Sequence, residues 1–197
     1  CIIYNNSVFH ANALHVLNLR FTNSTTNMRL LEGKIAIITG ATRGIGKGIA
    51  EKFIAQGATV VFTYASSDDK ARLLETELAT MGGVAKGYKS DAADFNAAQA
   101  LIDQVVADFG TVDILVNNAG VNLPGVFHEV SNETIDQTLD INVKGAMYLT
   151  RAAIPHMLKN NRGSIVNMSS VNGLVSEPFL SVYSASKGAI VMLTRGI

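Results

Sequence analysis

The sequence has one cysteine, Cys1, so no disulfide framework can form within the chain. Its four histidines, His10, His15, His128 and His156, show no metal-ligand spacing, and no Cys/His metal cluster is visible. A reducing cytoplasm is the expected compartment. No run of 18 apolar residues occurs, so no membrane-spanning helix is expected. Charge of one sign is lacking too: Lys+Arg and Asp+Glu are equal at 16 each. That balance argues against nucleic acid or an anionic membrane surface as partner, since both call for clustered positive charge. What is present is 197 residues, 48% of them hydrophobic, enough for one domain with a sizeable core.

Composition breaks near residue 28. Residues 1–27 hold no acidic residue, no glycine and no proline; six are Asn, and Arg20 is the only charge. As a secretory signal the segment lacks a basic front, a clean apolar core and a small-residue cleavage site. It is acid-poor like a transit peptide but not Arg-rich. The chain does not begin with Met, so the expectation is a non-structural leader read from upstream, with Met28 as the start and residues 28–197 as the domain.

From there, short apolar runs alternate with helical patterns. Residues 34–40 (KIAIITG), 58–64 (ATVVFTY), 84–91 (VAKGYKSD), 113–120 (DILVNNAG) and 163–170 (GSIVNMSS) read as buried strands. Between them, helical spacing covers 45–56, 68–82 and 94–110. A further stretch, 131–161, is broken near Asn142 and Gly145. A last helix starts near Ser181 and runs to Ile197. Strict alternation predicts an α/β fold, a Rossmann-type doubly wound parallel sheet with helices on both faces. Such folds bind ligands at the carboxyl ends of the strands.

The first strand runs into TGATRGIG, Thr39 to Gly46. Gly40 permits a tight turn; Gly44 and Gly46 let backbone approach a pyrophosphate and let the helix pack on the sheet. Thr42, Arg43 and Ile45 lie in the same loop, whose helix amino terminus offers free N–H groups to phosphate. The second strand closes on Tyr64, Ala65, Ser66 and Ser67 rather than on the acid that would hold a ribose 2′-hydroxyl. Asp68 and Asp69 fall at the start of the next helix, where negative charge is favoured. Arg43 is sited to meet a 2′-phosphate, so NADP(H) is the expected cofactor.

Near the end stands YSASK, with Tyr183 and Lys187 four apart on one helix face. A tyrosine with a pKa near 10 can supply a proton to a carbonyl oxygen if a neighbouring cation favours its phenolate, and Lys187 is that cation. Ser170 ends the last strand and can hold the same oxygen; Ser169, its neighbour, points to the other face if strand geometry persists. Without upstream motifs, such a Tyr/Lys pair is only a helix surface pair, and Ser170 a turn cap.

TGATRGIG, NNAG (117–120), INVKG (141–145), NMSS (167–170) and YSASK (183–187), in that order, resemble the short-chain dehydrogenase/reductase family over residues 28–197. Within it, the opening LLEGKIAIITG, the glycine loop and the end of the second strand are most similar to bacterial 3-oxoacyl-[acyl-carrier-protein] reductases. The resemblance implies a catalytic set of Asn142, Ser170, Tyr183 and Lys187. Asn142 would hold a water linking Lys187 to solvent, and Lys187 would also bond the nicotinamide ribose. It implies further that Asn117, Ala119 and Gly120 lie along that ribose, Asn117 also tying strands together, and that Asp91 contacts adenine; a helix cap at Asp91 is the plainer alternative. The implied activity is NADPH-dependent reduction of a 3-oxoacyl thioester, on acyl carrier protein or coenzyme A, in fatty-acid synthesis. Another enzyme of the family acting on a sugar, polyol or other secondary alcohol is the alternative, as is a nucleotide-binding fragment without turnover. Family members continue past this point with two strands, a substrate lid and a helix, and the full protein is expected to be a homotetramer. Residues 163–170 would then form an exposed edge strand. Lys159 and Arg162 make a small basic spot, read as a solvated loop pair or, alternatively, a dock for an acidic carrier.

Overall fold

The structure, a computed structural model, describes residues 3–7 and 29–197. The strands are β1 (Ile3–Ser7), β2 (Ile35–Ile38), β3 (Thr59–Tyr64), β4 (Ala85–Lys89), β5 (Ile114–Asn117) and β6 (Ser164–Met168). The helices are α1 (Gly44–Ala55), α2 (Asp68–Thr80), α3 (Phe95–Phe109), α4 (Asn132–Leu139), α5 (Gly145–Lys159) and α6 (Ser181–Gly196). They form one sheet of order β1-β6-β5-β2-β3-β4, in which β2 to β6 run parallel. The parallel part begins in the middle at β2, winds outward to β4, then returns to lay β5 on the other side of β2. The reversal between β2 and β5 opens a crevice at the carboxyl ends of those strands.

The strands sit centrally because side chains of both parities are apolar. Ala36, Ile38, Val60, Phe62 and Val116 join one core with Ile54 of α1 and Leu74 and Leu78 of α2. Ile37, Val61 and Leu115 join the other, with Leu101, Ile102 and Val105 of α3 and Leu149, Ala153 and Met157 of α5. Period-two alternation thus feeds two cores, and each fully buried large side chain contributes about 1.5–3 kcal/mol of transfer free energy.

Local signals set the helix limits. Asp94 caps α3 by accepting from Asn96 N–H at 2.7 Å and Ala97 N–H at 3.2 Å, and Gly110, at φ 83°, ends it. The break near Asn142 is a π-turn, Asp140–Lys144, between α4 and α5. Gly145 follows because a β-carbon there would stand 2.5 Å from the carbonyl oxygen of Ala92.

Two expectations change. The 163–170 strand is not a bare edge: β1 pairs antiparallel with β6, from Ile3 opposite Met168 to Ser7 opposite Ser164, and supplies the hydrogen-bond partners that an edge lacks. Of the segment set apart as a leader, residues 3–7 form this strand and the remainder, with Met28, lies outside the described residues. The basic spot is also altered. Arg162 Nε reaches the buried carboxylate of Asp113 at 2.8 Å, while the other Asp113 oxygen accepts from Ile35 N–H at 2.9 Å. Asp113 therefore ties the start of β5 to the start of β2, and Arg162, from the turn before β6, is paired to it where a solvated loop charge was expected.

Candidate active site

The loops after β2 and β5 are stitched together across the crevice. Thr39 Oγ1 accepts from Asn118 N–H at 2.9 Å and Ala119 N–H at 2.8 Å. The Asn118 carboxamide returns the contact by donating to the carbonyls of Thr39 at 2.8 Å and Gly40 at 3.2 Å. Gly40, at φ 64°, makes the turn that brings its carbonyl there. Gly46 must be glycine for space: a β-carbon would stand 2.6 Å from Asn118 Nδ2 and 2.8 Å from the Gly40 carbonyl oxygen. Behind this loop α1 begins with no acidic residue in its first turn and no side-chain cap, so its first N–H groups are left for an anion.

The result is an open cleft of about 680 Å³. Gly40, Thr42, Arg43, Gly44, Ile45, Gly46, Tyr64, Ser66, Asp91, Ala119 and Gly120 line it. Asn117 does not belong with them: its side chain is buried and donates to Thr150 Oγ1 at 3.0 Å and Asn167 Oδ1 at 2.8 Å. It ties β5 to α5 and β6, while Asn118 lines the cleft. The reason is pleat: adjacent residues at the strand end face opposite ways, so only one asparagine of NNAG can look into the crevice. Asp91 is not the cap of α3, which Asp94 supplies; its Oδ1 accepts from Ala93 N–H at 2.9 Å.

Charge on the cleft wall is lopsided. Arg43 is exposed and forms no ion pair among the described residues. Lys70, from the first turn of α2, is exposed on the same wall. Its signal in the sequence was only a cation just past a strand end. Asp68 is turned aside, 3.3 Å from Lys89, and that bond holds its carboxyl below the ordinary range. Burial and then the Asp68 contact push the Tyr64 hydroxyl above an ordinary tyrosine.

At Gly120 the cleft meets a different kind of structure. A β-carbon on Gly120 would stand 3.1 Å from Asn142 Oδ1 and 3.4 Å from Lys187 Nζ. Asn142 is buried; its Oδ1 accepts from Val121 N–H at 2.8 Å, and its Nδ2 donates to the Val121 carbonyl at 2.8 Å and to Ser186 Oγ at 3.0 Å. Ser186 in turn donates to the Tyr183 carbonyl at 2.6 Å. Lys187 is only 6% exposed. Its Nζ donates to the Met168 carbonyl at 2.8 Å and lies 5.8 Å from the centroid of the Tyr183 ring. Burial holds its pKa below the ordinary lysine value.

The two serines ending β6 diverge. Ser169 is buried and donates to the Lys187 carbonyl at 2.8 Å. Ser170 is half-buried, accepts from Asn172 N–H at 3.2 Å and donates to Asn172 Oδ1 at 3.3 Å. Gly173 lets this turn close on α6: a β-carbon there would stand 2.7 Å from both the Lys187 carbonyl oxygen and Ser169 Oγ.

Residues 34–197 match the family model for short chain dehydrogenase. The chain belongs to the short chain dehydrogenase family. It is 43% identical over 171 residues to oxidoreductase UcpA of Salmonella typhimurium, an alignment covering 86% of this chain and 64% of that protein. It is 40% identical to glucose 1-dehydrogenase 2 of Bacillus subtilis, over 84% of this chain and 65% of that one. It is 36% identical to 3-oxoacyl-[acyl-carrier-protein] reductase FabG of Staphylococcus aureus, over 82% and 66% respectively. This short chain dehydrogenase therefore spans just under two thirds of the length of these three curated relatives. A short chain dehydrogenase from Burkholderia cenocepacia, solved in complex with NADP, superposes with a TM-score of 0.79 at 36% identity, covering 84% of this chain and 67% of that one.

Proposed function

We propose that this short chain dehydrogenase carries the cofactor and proton-transfer sites of an NADPH-dependent reductase that converts a 3-oxoacyl thioester, held on acyl carrier protein or coenzyme A, to the 3-hydroxyacyl form. The observation that carries the reading is Lys187: a buried ammonium with no carboxylate partner among the described residues, fixed between the Tyr183 ring and the Gly120 end of the cleft. A buried cation without a counter-ion costs stability and marks a functional site.

The residues present fit a dinucleotide. The cleft has a glycine-built floor, a free helix amino terminus, and Arg43 with Lys70 at the end of β3 where a 2′-phosphate would stand. Tyr64, Ser66 and Asp91 fit the adenosine end, and Ala119 and Gly120 the path toward the nicotinamide. When bound, that cofactor supplies the hydride. Tyr183 gives the proton to the carbonyl oxygen, and Ser170 donates a hydrogen bond to the same oxygen. Lys187 brings positive charge to the Tyr183 ring and holds the cofactor ribose; Asn142 carries the water path from Lys187 outward. The assembly we propose is a cytoplasmic homotetramer serving fatty-acid synthesis. The likeness to glucose 1-dehydrogenase 2 and UcpA, at higher identity than to the FabG reductase, favours a second reading: oxidation of a sugar or other secondary alcohol.

Initial rates with acetoacetyl thioester and NADPH, set against glucose with NADP, separate the two. Thioester reduction, lost by about 10²–10⁴-fold in Tyr183→Phe, is the expected result. Faster turnover of glucose would replace the substrate assignment, and a Phe variant with near-normal rate would remove the assigned proton donor. Cofactor binding without turnover of either would leave a nucleotide-binding fragment.

A further inference from the structure

Ser170 has a hydrogen-bond problem. A hydroxyl has one hydrogen and two lone pairs. Here one lone pair takes the Asn172 backbone N–H at 3.2 Å, and the hydrogen goes to Asn172 Oδ1 at 3.3 Å. The hydrogen that a substrate oxygen would need is spent on a neighbour two residues away. On the same carboxamide, Asn172 Nδ2 is buried and has no hydrogen-bond partner among the described residues. An unmet buried N–H is costly, and more so than an under-used carbonyl oxygen. One torsion answers both. Turning the Asn172 carboxamide over places Nδ2 where Oδ1 stands, within reach of Ser170 Oγ. Ser170 would then accept two N–H bonds from Asn172, filling both lone pairs, and its hydrogen would be freed from Asn172. Gly173 and the Ser169 bond to Lys187 hold the turn against α6.

We propose that Asn172 is a positioning residue for Ser170, working as a two-state carboxamide: with Oδ1 toward Ser170 the hydroxyl is parked, and with Nδ2 toward it the hydroxyl is aimed at the substrate oxygen. The proposal rests on the reading of Ser170 as the donor to that oxygen. It also says why this turn carries Asn, a side chain with a donor and an acceptor on one rotor.

The test uses the chain with acetoacetyl thioester and NADPH, measuring kcat, KM and the pH profile for the wild type, Ser170→Ala, Asn172→Asp, Asn172→Leu and the Ser170→Ala/Asn172→Asp double variant. A carboxylate can only accept, so Asn172→Asp should keep the Ser170 hydrogen parked and lower kcat about as far as Ser170→Ala, by about 10²-fold, with KM for NADPH unchanged. Expressed as a ratio to wild type at each pH, its rate should recover as pH falls and the introduced carboxyl gains a proton it can donate. Asn172→Leu, which neither parks nor aims the hydroxyl, should lose less, about tenfold. In the double variant the Asp change should add nothing to Ser170→Ala. A Leu variant as slow as the Asp variant, no recovery in acid, or additive losses would overturn the proposal, because a merely structural turn would give those results. If Asn172→Asp does not fold, wild-type kcat in Asn172→Leu overturns it alone. Wild-type turnover that survives Ser170→Ala would instead refute the underlying role of Ser170, and an inactive wild type would refute both.

Discussion

At the Gly40–Gly46 end of the cleft the chain offers backbone, glycine and exposed cations; at the Gly120 end it offers Asn142, Ser186 and Lys187, each buried and hydrogen-bonded. The first end meets its ligand with N–H groups whose partners come from outside the chain. The second is nearly complete by itself: Asn142 uses both amide hydrogens and Ser186 its one hydrogen. A site that must release its ligand each turnover is served by solvent-facing, screened contacts. A site that must hold a proton donor to within a fraction of an ångström is served by a buried hydrogen-bond network that cannot reorganise cheaply. Damage at the two ends should therefore be felt in different quantities.

The largest effect is expected from Lys187→Met. It should lower kcat by about 10²–10⁴-fold while moving NADPH affinity much less. Its stability should change in the opposite sense. Burial holds the Lys187 pKa below 10.5 in the folded chain. Between that depressed value and 10.5 the unfolded chain binds more protons, so wild-type stability rises with pH across this window, and the burial penalty is full below it. Lys187→Met removes the titration. Urea melts over a pH series should show a variant at least as stable as wild type at neutral pH and without this rise. A variant that melts earlier would mean the ammonium is a net structural tie.

Next comes Gly46→Val at the other end. The new side chain must displace Asn118 or the Gly40 carbonyl, a strain of about 1–3 kcal/mol, so NADPH binding should weaken by about 10–100-fold. Turnover at saturating cofactor should survive; a collapse of kcat with binding intact would erase the distinction between the ends. Arg43→Ala should be the mildest. Losing one charged contact at an exposed position should weaken NADPH by about 5–10-fold, leave NADH unchanged, and matter less as salt rises. Equal losses for both cofactors in fluorescence titrations would remove Arg43 from the 2′-phosphate.

What the sequence made legible follows the same division. The glycine loop and the Tyr183–Lys187 spacing are local patterns, and local patterns survive in a string of letters. The alternation of apolar runs was enough to place every parallel strand, the runs of β2, β3 and β5 being buried on both faces. Asn118 escaped notice because choosing between two adjacent asparagines needs the pleat of the strand end. Lys70 escaped because a cation after two aspartates reads as helix surface. The Arg162–Asp113 clamp joins residues far apart in the chain, and nothing local in either announces it. The same holds for β1, whose Asn-rich letters carry no period that marks a strand.

Thr39 and Asn118 have a consequence for kinetics. Their four hydrogen bonds already hold the loops after β2 and β5 in the shape that a phosphate would meet. Little of that surface has to be ordered on arrival, so the conformational cost of capture is small. The pace of cofactor entry is then set by diffusion into an open cleft rather than by a loop that must first close.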